Sequence, residues 1–559
     1  MNRVRTSLMW AAVVLLAAAP MALAGGEEEA SGAGASTIPA GYFGTYEPAI
    51  DMEWIKSTWQ SAREAVNNKL EPATGETFED NRWTRAMREE LGINVVYKWV
   101  VDGAQAQEKL KLAMASGDLP DVITLEGAQR LVDFQQLAEA DLLADMTDVW
   151  EQYASPLAKE VVGADGQVIF NAVSHGGRMK GIPGPSAGLD SYSYFWVRQD
   201  WLDNLGLEPP RTTEDLLEMT RAFTHDDPDG NGEDDTIAMM LDKGLWYRSE
   251  GFFWSFGAYP DAWLEAPGGG LRYGAIQPEV KDALAALRHM HADGQLDPEW
   301  AVKDGAKANE AFARNAVGIS YGGHWISYDF LPGWENDNTI DWSVYPQPGV
   351  DGTTPRGELE LGMQRIYAVN KDYPHPEAVV KAYNLYWEKL YGETGDYEYW
   401  GNDEIMDGIW WIGPFAAFHP WVNIPPYYDI QAVYAGEKDP ADLTGVSLDY
   451  YNNTENNPHP AQQWAWQEMF TDPATSPFGH ITRRVDEGSL FVDNFVAAPT
   501  PTMVDRWGTL EELKITTFTR IIVGDLDLDS GFAEFVEDWQ KLGGDQITEE
   551  VSDWYRANQ

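Results

Sequence analysis

From Asp227 to Thr236 the chain reads Asp-Pro-Asp-Gly-Asn-Gly-Glu-Asp-Asp-Thr, with oxygen-bearing side chains at loop positions 1, 3, 5 and 9. Glycine at position 6, Gly232, suits a sharp turn, and Glu233 at position 7 offers a backbone carbonyl. This spacing reproduces the first part of an EF-hand loop. Asp227, Asp229, Asn231, Glu233 and Asp235 are therefore candidate ligands for a hard divalent cation, calcium foremost. Position 12 holds Ala238 where such loops carry a bidentate glutamate, so the ion expected here is structural and not a switch. The competing reading is a metal-free turn rich in glycine and asparagine. A second acidic alternation, Asp525, Asp527 and Asp529, lacks the glycine and runs into a helical pattern, so it reads as a turn and helix cap.

The other residues that could do chemistry are aromatic. The chain has 25 Trp and 25 Tyr, crowded at Phe252-Phe253-Trp254, from Tyr321 to Trp325 and at Trp410-Trp411. Sugars present apolar C–H faces between rings of hydroxyls, so a site for them stacks an indole on the face and surrounds it with carboxylate, amide and guanidinium groups. Trp254, Tyr321, Trp325, Trp410 and Trp411 are the stacking candidates. Glu126, just past an expected strand ending at Leu125, and Arg365 are the polar ones, because strand carboxyl ends in open α/β sheets face the ligand crevice. Catalytic patterns are missing: the sequence has no HExxH, GxSxG or Walker motif. Ninety acidic residues supply carboxylate pairs in abundance, yet nothing singles out an acid and a nucleophile.

Several elements must position these groups. Ile93 to Val101 reads as a buried strand, Ala106 to Ser116 as a helix stopped by Gly117, and Val122 to Leu125 as a returning strand, which together make a parallel crossover unit. Ser191 to Val197 is a further strand. Thr212 and Asp215 form a capping box for a helix with Leu216, Met219 and Phe223 on its apolar stripe. Phe532, Phe535, Val536 and Trp539 line a late helix. The segment 391–460, rich in aromatics, proline and asparagine, yields no assignment.

At 559 residues the chain is long enough for two lobes with separate cores. Arg3, Arg5, an apolar run from Leu8 to Ala19, and Ala22-Leu23-Ala24 predict a signal peptide over residues 1–24, followed by a flexible tether over 25–40. The chain contains no cysteine, which excludes lipidation at such a cut, disulfides and thiolate metal sites. Formal charge is 39 minus 90, or −51, and this disfavours nucleic acid and anionic lipid as partners.

The order of motifs resembles a known family. Trp196 to Met240 joins a strand, the Arg198-Asp200 helix start, the Thr212 helix and the oxygen-rich loop. Together with Lys109 to Gly127, Arg314 to Trp325, Pro499 to Asp525 and Phe535 to Gln559, it is similar to the extracellular solute-binding proteins of bacterial ABC importers. The likeness is to the large carbohydrate-binding branch with LplA-type lipoproteins and alginate-oligosaccharide binders. The resemblance implies a two-lobe α/β periplasmic-binding-protein fold of class II type, with an interlobe hinge and a ligand cleft. Lobe 1 is expected over 41–195 with about 335–385, and lobe 2 over 196–334 with about 386–559. It implies a carbohydrate ligand, an oligosaccharide foremost, delivered to ABC permease subunits by a periplasmic, unlipidated monomer with no catalytic role. It also implies calcium at the Asp227 loop, although relatives use a further carboxylate where Thr236 stands. It makes Trp325, just after a strand that ends at the family's cleft, the foremost stacking residue. Two other classes stay open on the residues alone: a secreted polysaccharide-degrading enzyme, and a binder of a non-sugar solute such as a peptide.

Overall fold

Alternation of large apolar residues in Ile50–Thr58 buries Met52 and Trp54 and lets this strand pair in parallel with Ile93–Asp102. The computed structural model describes residues 38–58, 60–127, 129–164, 168–186, 188–245, 248–359, 362–392, 394–400 and 409–558. The expected signal peptide and most of the tether lie outside the described residues.

The first sheet has five strands in the order Ile93–Asp102, Ile50–Thr58, Val122–Glu126, Met363–Val369, Gly181–Pro185. Met363–Val369 runs antiparallel to both of its neighbours. The helix Gly103–Ser116 provides the expected crossover. Asp102 caps its start by accepting from the Gln105 amide at 3.0 Å, and Gly117 ends it in the left-handed region at φ 72°.

The second sheet has four strands in the order Trp342–Tyr345, Tyr194–Arg198, Val317–Gly322, Ile237–Met239. Here Tyr194–Arg198 is the antiparallel member. The predicted capping box is present on the helix Thr213–His225: the Thr212 hydroxyl accepts from the Asp215 amide at 3.1 Å, and the Asp215 carboxylate accepts from the Thr212 amide at 3.0 Å. Leu216, Met219 and Phe223 are buried as the stripe requires, with the Phe223 ring edge-on to Trp201. A Cβ at position 318 would sit 2.3 Å from Phe223, so Gly318 lets the strand approach this helix.

The crossings fix where a ligand could sit. The chain leaves the first sheet at Pro185, the carboxyl end of a parallel strand, and enters the second at Tyr194. It leaves the second at Tyr345 and re-enters the first at Met363. Both antiparallel strands thus begin beside the carboxyl ends of their parallel neighbours, and those ends lie on the crossing side of each lobe. The fold is a two-lobe α/β architecture, as expected.

The expected boundaries need correction. Trp342–Tyr345 belongs to the second sheet, with Ser343 opposite Val197, so lobe 1 regains the chain near 363 and not near 335. The first crossing lies between Pro185 and Tyr194, upstream of the boundary expected at 195. Residues 409–422 were expected in lobe 2, yet Trp411, Ile412 and Phe415 are buried in the core of the first. Within the unassigned stretch lie the helices Ile424–Tyr434 and Gly445–Glu455, and it ends at the start of Pro460–Phe470; all three pack with Trp196 and Phe478 in the second lobe. The late cap is Asp527, which accepts from the Ser530 amide at 3.0 Å.

Candidate functional site

Glu126 is the last residue of its strand, and antiparallel register sets Arg365 directly opposite. The Arg365 Nε donates to the Glu126 carboxylate at 2.8 Å, and Nη1 donates to the Ala416 carbonyl at 2.9 Å. The third charged group is Lys56, near the carboxyl end of Ile50–Thr58. Its Nζ donates to the carbonyls of Trp411 at 2.8 Å and Gly413 at 2.7 Å. Burial pushes this ammonium down to about 7, and the positive charge of Arg365 acts in the same direction while Glu126 opposes it. Ser57, Thr58, Thr124, Pro414 and Ala416 complete the rim of a small depression of about 10 Å³, roughly the room one water needs. Two predicted residues, Glu126 and Arg365, are therefore brought together, and Trp411 lines the same depression.

Across the crossings, Trp325 follows the strand Val317–Gly322 and keeps 40% of its surface exposed. A Cβ at Gly323 would stand 2.5 Å from the Trp325 ring, so the indole folds back over a residue that must be small. Tyr328, also exposed, lies one turn farther along the same short helix, His324–Phe330. A broader groove of about 410 Å³ opens where the 409–422 segment passes into the second lobe. Trp421 and Tyr428 line it with Ile424, Pro425, Asp429 and Asp486, which gives apolar faces beside carboxylates.

Other predicted contacts are corrected. Trp254 is fully buried, with Tyr192 at 5.6 Å between ring centroids, and Tyr321 is fully buried against Phe195 at 5.3 Å. Both build the second lobe's core and present no face to a ligand, because neighbouring aromatic residues in sequence need not share a direction in space. Trp410 is half-buried, its ring centroid 4.0 Å from that of Phe418. Lys56, Thr124 and the Trp421–Tyr428 groove escaped the sequence reading. An apolar strand ending in Lys-Ser-Thr was the available signal for the first of these.

The Asp227 loop is exposed and tied by its own hydrogen bonds. The Asn231 amide donates to Asp229 at 2.9 Å and to Asp235 at 3.3 Å, and the Gly232 amide donates to Asp227 at 3.1 Å. Asp227 takes φ 51°, the left-handed region an aspartate tolerates in such turns. Partial burial raises the Asp229 pKa, and the negative charges of Asp235 and Asp227 add to it. A cation among these carboxylates would relieve that repulsion, so the donor set fits calcium in chemistry. Among the described residues, no group of three or more acidic or histidine side chains is arranged to hold a metal.

Comparisons with known proteins accord with this architecture. The family described as bacterial extracellular solute-binding protein matches residues 69–386. A Bacillus subtilis protein named polygalacturonan/rhamnogalacturonan-binding protein YtcQ is 23% identical over 474 residues, 82% of this chain and 84% of its own. A solved Bifidobacterium longum infantis structure, described as an HMO-binding ABC-transporter-associated solute-binding protein, aligns with a TM-score of 0.59 at 14% identity, covering 91% of this chain and 98% of the other. The Streptococcus pneumoniae substrate-binding protein FusA, solved with kestose, aligns with a TM-score of 0.58 at 18% identity, covering 91% and 100%. These two structural likenesses establish the fold.

Proposed function

The chain belongs to the bacterial extracellular solute-binding protein family, and from that premise we propose that it is the substrate-binding subunit of an ABC importer for an oligosaccharide. The observation that carries this reading is the placement of polar groups and an exposed indole at the strand carboxyl ends beside the crossings. Glu126, Arg365 and Lys56 stand on the first lobe, and Trp325 stands on the second. The indole stacks on a sugar face, the charged groups hydrogen-bond hydroxyls, and rotation about the crossings shuts the lobes around the ligand. Closure is driven only as far as the ligand prefers the closed form, and the closed surface is what a permease meets. The names of YtcQ and of the two solved proteins, all binders of glycans or transported solutes, support the ligand class.

Binding proceeds without turnover in this reading, and the exported protein, cut near Gly25 and unlipidated, acts in the periplasm. A calcium ion held by Asp227, Asp229, Asn231 and Asp235, with the Glu233 carbonyl, is part of the same proposal; its contribution is to neutralise and brace the loop. The test is a thermal-shift screen against an oligosaccharide panel, followed by calorimetry and product analysis on the hits. Saturable binding with intact ligand supports the proposal. Cleaved ligand, or stabilisation by peptides alone, overturns it.

A further inference from the structure

The first lobe's depression carries more positive than negative charge, in a chain whose formal total is −51. The charged groups that act on Lys56 are Arg365 and Glu126. Below pH 7, where Lys56 is protonated, two cations and one carboxylate leave this spot one positive charge in excess. The geometry leaves donors to spare as well. Lys56 uses two of its three N–H groups on the Trp411 and Gly413 carbonyls. Arg365 places Nε on Glu126 and Nη1 on Ala416, and among the described residues its Nη2 meets no acceptor. The Thr124 hydroxyl accepts from the Trp54 indole at 2.8 Å and keeps its own proton to donate. All of these groups border a space that admits about one oxygen atom and no sugar ring.

Given the oligosaccharide reading, on which this rests, we propose that the ligand is acidic: a uronate unit whose carboxylate sends one oxygen between Lys56 and Arg365 while its ring lies in the cleft above. A neutral hydroxyl would leave the excess charge uncompensated in a partly dry setting, where an ionic hydrogen bond is roughly twice as strong as a neutral one. A sulfate ester would bring the same charge on a bulkier tetrahedral group.

The arrangement makes binding sensitive to pH. In the free protein Lys56 titrates at about 7, because burial and Arg365 disfavour its charge. A carboxylate beside it favours the charged form and raises that pKa, so binding takes up protons. Affinity for an acidic ligand is then full below pH 7 and falls as pH rises from there towards the pKa of the complex.

The experiment is calorimetry on the full chain with an oligouronide, its carboxyl-reduced neutral analogue of equal length and linkage, and a sulfated oligosaccharide, at several pH values. The oligouronide is expected to bind roughly 10- to 100-fold tighter than the neutral analogue at pH 6, the scale of one hydrogen bond to a charged group. That preference should shrink by pH 9. Lys56→Met should remove most of the preference and its pH dependence, whereas Glu126→Gln, which adds one positive charge, should enlarge it. A neutral analogue that binds as tightly as the oligouronide overturns the acidic assignment and leaves the oligosaccharide reading standing. Tighter binding of the sulfated ligand overturns the carboxylate. If no oligosaccharide of any charge binds the folded protein, the failure lies with the oligosaccharide reading itself.

Discussion

Trp325 and Trp254 are the same side chain with opposite fates. The first keeps 40% of its surface exposed beside the crossings, and the second is sealed against Tyr192. Trp325→Ala should therefore weaken the best glycan by roughly 1 to 3 kcal/mol, the scale of a lost aromatic contact, and leave the unfolding midpoint close to that of the parent. Trp254→Ala should do the reverse and cost about 3 to 5 kcal/mol of folding stability through the cavity it leaves. Calorimetry and urea unfolding on both variants separate the two effects. Unchanged affinity in Trp325→Ala would place the stacking surface elsewhere, the Trp421–Tyr428 groove being next. Glu126 and Arg365 were legible in the sequence because a strand's end has a fixed place in an α/β sheet. The direction of an indole within an aromatic run has no such sequence signal, which is why Trp254 and Tyr321 were misplaced.

At the scale of elements, local chemistry was readable and sheet membership was not. The Thr212 capping box and the Gly117 helix stop depend on neighbours three or four residues away, and both appear where expected. Trp342–Tyr345 is only four residues long, and nothing in so short a strand states which sheet it joins; pairing with Tyr194–Arg198 decides that. The helices of 424–470 have apolar residues spread around their circumference, and their packing is set by Trp196 and Phe478 from distant positions. The Asp227 loop is also a local element, and its prediction is local. An ion that binds only the folded state stabilises by RT ln(1 + [L]/Kd), about 2.7 kcal/mol at a concentration a hundred times Kd. Chelation should thus lower the melting temperature of calcium-loaded protein, and Asp227→Ala should abolish the difference. Equal melting curves with calcium and with chelator would reduce the loop to a turn.

For the whole molecule, the net charge of −51 and the paired crossings set the expected behaviour. Self-repulsion of so many carboxylates weakens the compact state, and salt screens it: the Debye length falls from about 30 Å at 0.01 M to about 8 Å at 0.15 M. The melting temperature should rise over that range of sodium chloride, and a fall would mean that attractive pairs dominate. The two crossings are themselves tied together. The Tyr192 hydroxyl donates to Gln347 at 2.7 Å, and Gln347 donates back to the Ser193 carbonyl. Farther along the second crossing, Gly357 packs so tightly that a Cβ there would stand 2.2 Å from the Tyr192 ring and 2.9 Å from Leu490. Crossings tied in this way should bend as one strap, and the lobes should then close by a single rotation when ligand is present. Small-angle scattering should show the radius of gyration fall saturably with glycan, in step with calorimetric occupancy. Gly357→Val, which touches no residue of the proposed binding surface, should wedge the strap, shrink that change and weaken binding together. A radius unmoved at saturating ligand would mean that the protein binds without closing.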